Sequence, residues 1–186
     1  YKNSPDNDLF TNYQHFMSVN GRKIDSAKRH LATPKDKKDS AALKEIIEKT
    51  NKIIKDYRAE VMNKNPDAVL SFLLTLLREP EVPPASQHPG GKYDSTYAYQ
   101  YYKSHFWDGI NFYDERLTRT PLIDGKIDKY FEQLVYPSAD SVIKEIDWML
   151  GYANINKDNE KFLLMKFVNR YLNMKYMWED AVFVHL

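Results

Sequence analysis

Three features of the sequence predict an all-α fold, with a long N-terminal antiparallel helical hairpin followed by a bundle of about five shorter helices. Apolar residues recur at steps of three and four, the spacing that lines one face of a helix. Each such stretch is bounded by Pro, Gly or a short polar residue of the kind that starts or stops helices. No stretch shows the strict apolar–polar alternation of a half-buried strand. The chain has 186 residues, enough for one sizeable core and an appendage.

In the first helix, over 9–31, the seam is Phe10, Tyr13, Met17, Ile24, Ala27 and Leu31, with Asn20 in the same register. Steps alternating between three and four are those of a coiled-coil-like seam. Gly21 inside it costs about 1 kcal/mol relative to Ala. Thr33, Pro34 and Asp36 then supply a cap, a first-turn proline and a first-turn acid. They open a second helix expected from about Pro34 to Asn63. Its seam is expected along Leu43, Ile46, Thr50, Ile53 and Tyr57, widened by Ile47, Ile54 and Val61. Two long helices with matching seams and a short connection make a hairpin, placed at 1–64. Its tip carries Arg22, Lys23, Lys28, Arg29, Lys35, Lys37 and Lys38 against Asp25 and Asp36. A solvated helix end accounts for such a run, with an acidic partner or lipid headgroups as the alternative.

The second domain, 65–186, opens at Asn65-Pro66-Asp67, a cap, a proline and an acid. Val69, Leu70, Phe72, Leu73, Leu74, Leu76 and Leu77 cover the whole circumference of the helix that follows, which reads as buried at the domain centre. Residues 80–95, PEVPPASQHPGGKYDS, read as an extended crossing loop or a linker. Asp94 or Ser95 caps the next helix, on which Tyr97, Tyr101 and His105 share one face, with Ala98, Tyr102 and Phe106 beside them. Residues 107–114 are a turn-rich connection around Gly109. Three more helices are read from Ile127, Tyr130, Phe131 and Leu134, from Val142, Ile146 and Met149 up to a Gly151 cap, and from Phe162 to Leu172. A last one opens near Glu179.

Nine of the 26 aromatic residues fall between Tyr93 and Tyr113. Aromatic side chains bury large areas and prefer specific partners, so a cluster this dense marks an assembly point of the fold. It is also where a binding site is expected, at Tyr97, Tyr101, His105 and Trp107, with Arg116 and Arg119 close behind. Arginine beside aromatics can clamp a carboxylate bidentately. Alternatively, the two arginines tie the 107–123 connection together, one of them paired with Asp108, Asp114 or a helix-end carbonyl.

Other chemistry is scarce. There is no cysteine, hence no disulfide, thiolate nucleophile or Cys-based zinc site within the chain. His15, His30, His88, His105 and His185 show no paired metal spacing, and no phosphate loop or nucleophile elbow occurs. No catalytic residue, metal or cofactor is expected. The net charge is +1 and the halves differ little, which argues against nucleic acid. The longest apolar run, Ala68 to Leu77, is half the roughly 20 residues that span a bilayer. Without an initial Met, and with AVFVHL ending mid-pattern, the chain is expected to be an internal piece of a longer protein.

The runs YAYQYYKSHFWDGINF, DERLTRTPLIDGKIDKYFEQLV, PSADSVIKEIDWML and DAVFVHL resemble a domain of unknown function from Bacteroidetes. Within the arginine motif the match is carried by Asp114, Arg116, Leu117, Arg119, Thr120 and Pro121, whereas Trp107 and Gly109 depart from the family pattern. The resemblance covers about residues 66–186 and is looser over the hairpin. It implies an exported, often lipid-anchored protein of the periplasm or cell envelope. It also implies a thioredoxin-like domain of the thiol–disulfide oxidoreductase type following in cis. On that footing the chain is expected to be a non-catalytic accessory module that positions or recognises protein or peptide substrates for that domain. The alternative is an independent peptide- or small-ligand-binding domain that uses the aromatic cluster 97–113 as its pocket.

Overall fold

The computed structural model describes residues 4–32 and 37–186; the Thr33-Pro34-Asp36 cap signal lies outside them. Eight α-helices, and no strand, occur among the described residues: α1 Pro5–Ala32, α2 Lys37–Lys64, α3 Val69–Leu77, α4 Ser95–Ser104, α5 Leu122–Gln133, α6 Ala139–Ala153, α7 Lys157–Leu172 and α8 Trp178–His185. The chain divides into two compact units, Tyr1–Thr75 and Leu76–Leu186. This division falls inside α3, whereas the sequence reading places its boundary ahead of that helix.

In the first unit α1 and α2 pair as the hairpin. Tyr57 of α2 stacks on Phe16 at 3.9 Å between centroids and lies parallel to Tyr13 at 6.3 Å. The Arg58 Nε donates to the Tyr13 hydroxyl at 3.0 Å. The α1 seam follows the expected register with buried Asn20 and Ala27, but Phe10 faces out and Leu9 packs inward instead. On α2 the inward set combines Thr50 and Tyr57 of the expected seam with Ile54 and Val61, which were expected only to widen it. Thr50, Ile54 and Val61 are buried, while Ile46 and Ile53 are about half exposed. Because Thr50 and Tyr57 stay inward, the helix is turned from the expected setting by only part of the step of about 100° between neighbouring residues. Both buried polar seam residues bond back along their own helices, Asn20 to the Phe16 carbonyl and Thr50 to that of Ile46. Neither is therefore left unsatisfied. At the base of the hairpin Val61, Leu70 and Leu74 form a small core, packed by Leu9, Tyr13, Tyr57 and Met62.

Helix α3 begins at Val69, after a turn in which Ala68 N–H donates to the Asn65 carbonyl. It is not buried all round: Leu70, Phe72, Leu74 and Leu76 are inside, and Val69 and Leu77 are half exposed.

The core of the second unit draws chiefly on the turn at Leu117 and on helices α5 to α8. Leu117, Ile123, Ile127, Ile146, Met149, Ala153, Leu163, Phe167 and Val182 are wholly buried. Each large side chain among them stabilises by about 1.5–3 kcal/mol relative to exposure. Helices α6, α7 and α8 pack on one another. An ion-pair network straps α7 to α5, with Lys166 bridging Asp124 and Asp128 and Arg170 bridging Asp128 and Glu132. Helix α6 continues past Gly151 to Ala153, where the Asn154 N–H closes it on the Leu150 carbonyl. Gly151 is thus inside the helix and is not its cap.

Residues 80–95 are structured rather than simply extended. Two single 3₁₀ turns, Ala85–Gln87 and Pro89–Gly91, flank His88. His88 is buried; its Nε2 lies 2.9 Å from the Pro83 carbonyl, and its Nδ1 accepts from the Asp94 N–H at 3.0 Å. Those partners require the neutral ring with the proton on Nε2. Gly90 and Gly91 both take positive φ, 77° and 68°, which only glycine does without strain.

Candidate functional site

Helix α4 starts where Asp94 accepts from the N–H groups of Thr96 and Tyr97. Its three sides do different things. Tyr97, Tyr101 and His105 form a ladder, Tyr97 to Tyr101 at 6.0 Å and Tyr101 stacked on His105 at 4.0 Å. His88 lies 4.7 Å from Tyr97. These rings anchor the 80–95 segment onto α4. A second side buries Ala98 and carries Tyr102, whose hydroxyl bonds to Glu79, itself paired with Lys129 at 2.6 Å. The third side, Tyr99 and Lys103, faces a cleft.

Behind α4 the chain reverses at Gly109, φ 78°. That turn lets Trp107, Ile110 and Phe112 all be buried. The Trp107 ring meets Phe106, Phe112 and Tyr130 edge-on at 4.9, 5.2 and 5.0 Å, the packing that ring quadrupoles favour. From α6, Trp148 stands edge-on to Phe112 at 5.6 Å and to Tyr152 at 5.4 Å. Asn159 of α7 holds the far end of the turn by donating to the carbonyls of Phe112 and Asp114, each at 2.8 Å.

Between α4, the 107–113 turn and α6 lies a cleft of about 660 Å³. Trp107, Ile110, Phe112 and Tyr130 form its floor, and Tyr99, Tyr113, Trp148 and Tyr152, each 40–52 % exposed, form its walls. One wall carries a closed polar set. Glu145 pairs with Lys103 at 2.8 Å through one oxygen and accepts from the Tyr130 hydroxyl at 2.9 Å through the other. Burial, and then the bond to Glu145, push the Tyr130 phenol far above its ordinary value, so it stays a donor. The buried Trp107 indole N–H has no hydrogen-bond partner among the described residues.

Of the six residues expected at the site, Trp107 alone lines the cleft. Tyr97, Tyr101 and His105 belong to the ladder. Arg116 folds back on Asp114, two residues away, through Nε at 3.0 Å and Nη2 at 2.7 Å. That pairing was expected, but it closes the turn locally and joins no two helices. Arg119 lies on the surface opposite Glu115 at 3.7 Å. Tyr99 and Lys103 fall within the 97–113 cluster expected as the alternative pocket without having been singled out, and the residues that sequence reasoning missed are those of the α6 wall, Lys144, Glu145, Trp148 and Tyr152. Their signal was present as Trp148 and Tyr152, four apart on α6 beside the Val142–Ile146–Met149 stripe. No set of three or more His, Cys, Asp or Glu able to hold a metal comes together among the described residues, and none of the described helices is long and apolar enough to cross a membrane.

Fold and site together define an all-α protein whose C-terminal unit carries an aromatic cleft. The chain belongs to the family described as a domain of unknown function, DUF5106, whose model matches residues 38–186 and so takes in α2 through α8. No curated protein and no solved structure matches it.

Proposed function

We propose that the chain is a non-catalytic helical recognition module whose aromatic cleft holds a peptide. The observation that carries this reading is the convergence of four half-exposed aromatic walls on one pre-formed cleft. Soluble domains seldom leave several large rings around one concavity without a ligand to cover them. The size also fits, since pockets of 300–1,000 Å³ are typical of sites for small ligands and short peptide segments. The resemblance of residues 66–186 supplies the setting: a thioredoxin-like domain following in cis, in an exported protein of the cell envelope, for which this module would position or recognise substrates. A chain without cysteine supplies no thiolate for that exchange chemistry, which in this reading belongs to the neighbouring domain.

Backbone amide NMR of the labelled chain, titrated with unstructured peptides of mixed composition, tests the proposal. Saturable shifts confined to residues 99–113 and 144–152 are the expected result. Shifts confined to the Tyr97–Tyr101–His105 ladder or to the hairpin, or no shifts with any peptide, would overturn it.

A further inference from the structure

We infer that the tip of the α1–α2 hairpin is a docking surface for an anionic phospholipid bilayer. This is independent of the cleft and of the peptide it is proposed to hold. From Arg22 to Lys44 the described residues carry seven Lys or Arg against two Asp. The remainder of the chain carries 20 Lys or Arg against 24 Asp or Glu. A nearly neutral protein thus holds a cationic pole, which begins on α2 at Lys37, about 36 Å along the helix from Val61 in the core at the hairpin base.

Arg22, Lys23, Lys28, Arg29, Lys38 and Lys44 are all exposed. Lys23, Lys28, Lys38 and Lys44 have no ion pair among the described residues. Arg22 and Arg29 donate to uncharged oxygens, those of Ser18 and the Asp25 carbonyl, so their charge is not neutralised. Keeping a helix end in water does not require such segregation, because interspersed signs serve solubility. Farther along α2, residues 45–64 carry five cations against four anions and pair Lys49 with Glu45 and Lys64 with Glu60.

The make-up of the pole selects among polyanions. No large apolar residue is exposed between Phe10 and Ile46 among the described residues, and no Phe, Trp or Tyr occurs between Phe16 and Tyr57. A protein partner is gripped by aromatic and apolar anchors at the centre of the interface. Single-stranded nucleic acid is gripped by stacked rings. The pole offers neither. Duplex-binding proteins gather their cations on one face or in a stripe. Here, at 100° per residue, Lys23 and Lys28 flank from opposite sides the face shared by Arg22 and Arg29. A lipid surface asks for no anchor and no stripe, since anionic headgroups draw in clustered basic residues by charge alone.

The test is co-sedimentation of the whole chain with vesicles of phosphatidylcholine alone and of phosphatidylcholine with phosphatidylglycerol, in about 0.05 M and about 0.5 M salt. Binding to the anionic vesicles at low salt is expected, lost at high salt and absent on phosphatidylcholine alone. The triple variant Lys28→Glu/Arg29→Glu/Lys38→Glu should bind at least about a hundredfold more weakly, at roughly fivefold per basic residue near the surface. Should it fail to fold, Lys28→Gln/Lys38→Gln serves, with a loss of roughly 25-fold expected. Lys92→Glu/Lys157→Glu/Lys161→Glu makes an equal charge change at exposed positions of the second unit and should lose less than about threefold. No binding to anionic vesicles at low salt, equal binding to neutral ones, or equal loss in the two triple variants overturns the inference. Tighter binding of polyglutamate or of a DNA duplex at the same residues also overturns it, and would assign the pole to an acidic protein or to nucleic acid.

Discussion

Asn159, wholly buried in α7, donates its side-chain amide to the carbonyl of Phe112 at 2.8 Å. The same nitrogen reaches the Asp114 carbonyl at 2.8 Å, and the amide oxygen is left buried without a partner. The Asp114 carbonyl also accepts from the Leu117 N–H at 3.0 Å, so it is the Phe112 carbonyl for which Asn159 is the hydrogen-bond partner. Phe112, the ring on which Trp148 rests, is held in place through its own backbone by a residue 47 positions later.

Replacing Asn159 by Ala is therefore expected to destabilise the protein by about 1–3 kcal/mol, the range for stranding a buried acceptor. Asn159→Asp should do worse, because it sets a carboxylate against two carbonyl oxygens. Urea unfolding followed by tryptophan fluorescence measures both. A loss below about 0.5 kcal/mol for Asn159→Ala would show that water takes over the role.

The hairpin makes a sharper contrast between neighbours. Ile54 is 9 % exposed and Ile53 is 50 % exposed. Ile54→Ala should cost about 2–4 kcal/mol and Ile53→Ala less than about 0.5 kcal/mol. Equal effects in thermal or urea unfolding would return the seam to the setting expected from spacing alone.

That pair also shows how far the sequence could be read. Two adjacent apolar sets on α2, Ile46 with Ile53 and Ile47 with Ile54, both keep steps near seven, so period alone cannot rank them. The choice is made by the partner helix, through Tyr57 on Phe16 and Arg58 on Tyr13. The all-α class was legible because 3–4 periodicity and cap signals are local. The cleft was less so, because α4 spends its most conspicuous ring set, Tyr97, Tyr101 and His105, on packing. The cleft wall instead draws on residues about 50 positions apart, such as Tyr99 and Trp148. Asn159 carried no signal at all, since its role exists only once α7 meets the turn.

Lys126 predicts a pH dependence. It is buried in α5, with its ammonium 2.8 Å from the Arg78 carbonyl and 4.6 Å above the Phe106 ring. Burial lowers its pKa from 10.5 to about 8, with the Glu79 charge opposing the drop. At 1.36 kcal/mol per pH unit the difference amounts to about 3 kcal/mol. Below pH 8 the lysine is charged in both folded and unfolded states, and the fold carries the full burial penalty. Between about 8 and 10.5 the unfolded chain binds more protons than the folded one, so stability rises with pH. Above 10 the opposite trend sets in, because Tyr102, Tyr130 and Tyr171 are held above their ordinary values and their ionisation favours the unfolded chain. Urea midpoints should climb from pH 7.5 to about 10, and Lys126→Met should flatten that slope. A flat profile in the parent protein would sink the account.

The arginines supply the last contrast. Arg116 meets Asp114 bidentately and also donates its backbone N–H to the same carboxylate at 2.9 Å. The guanidinium hydrogen bond is the chief reason the Asp114 carboxyl sits below its usual range. Yet the pair is local and partly exposed, with about a third of the Arg116 side chain in solvent. A buried pair joining two helices would lose about 3–5 kcal/mol when broken; a partly solvated one within a single turn should lose only about 0.5–1.5 kcal/mol. Arg119 and Glu115 are each more than 70 % exposed and 3.7 Å apart, and Arg119→Ala should be silent within about 0.5 kcal/mol. Because neither arginine lines the cleft, both variants should bind cleft ligands as the parent does. Asp114, with its lowered pKa, contributes stability that is present at neutral pH and lost as the pH falls below 4. The Arg116→Ala deficit should accordingly shrink in acid, and thermal unfolding at pH 7 and pH 3 measures it. A loss above 3 kcal/mol at pH 7, or weakened ligand binding in either variant, would restore the arginines to a scaffold or a site.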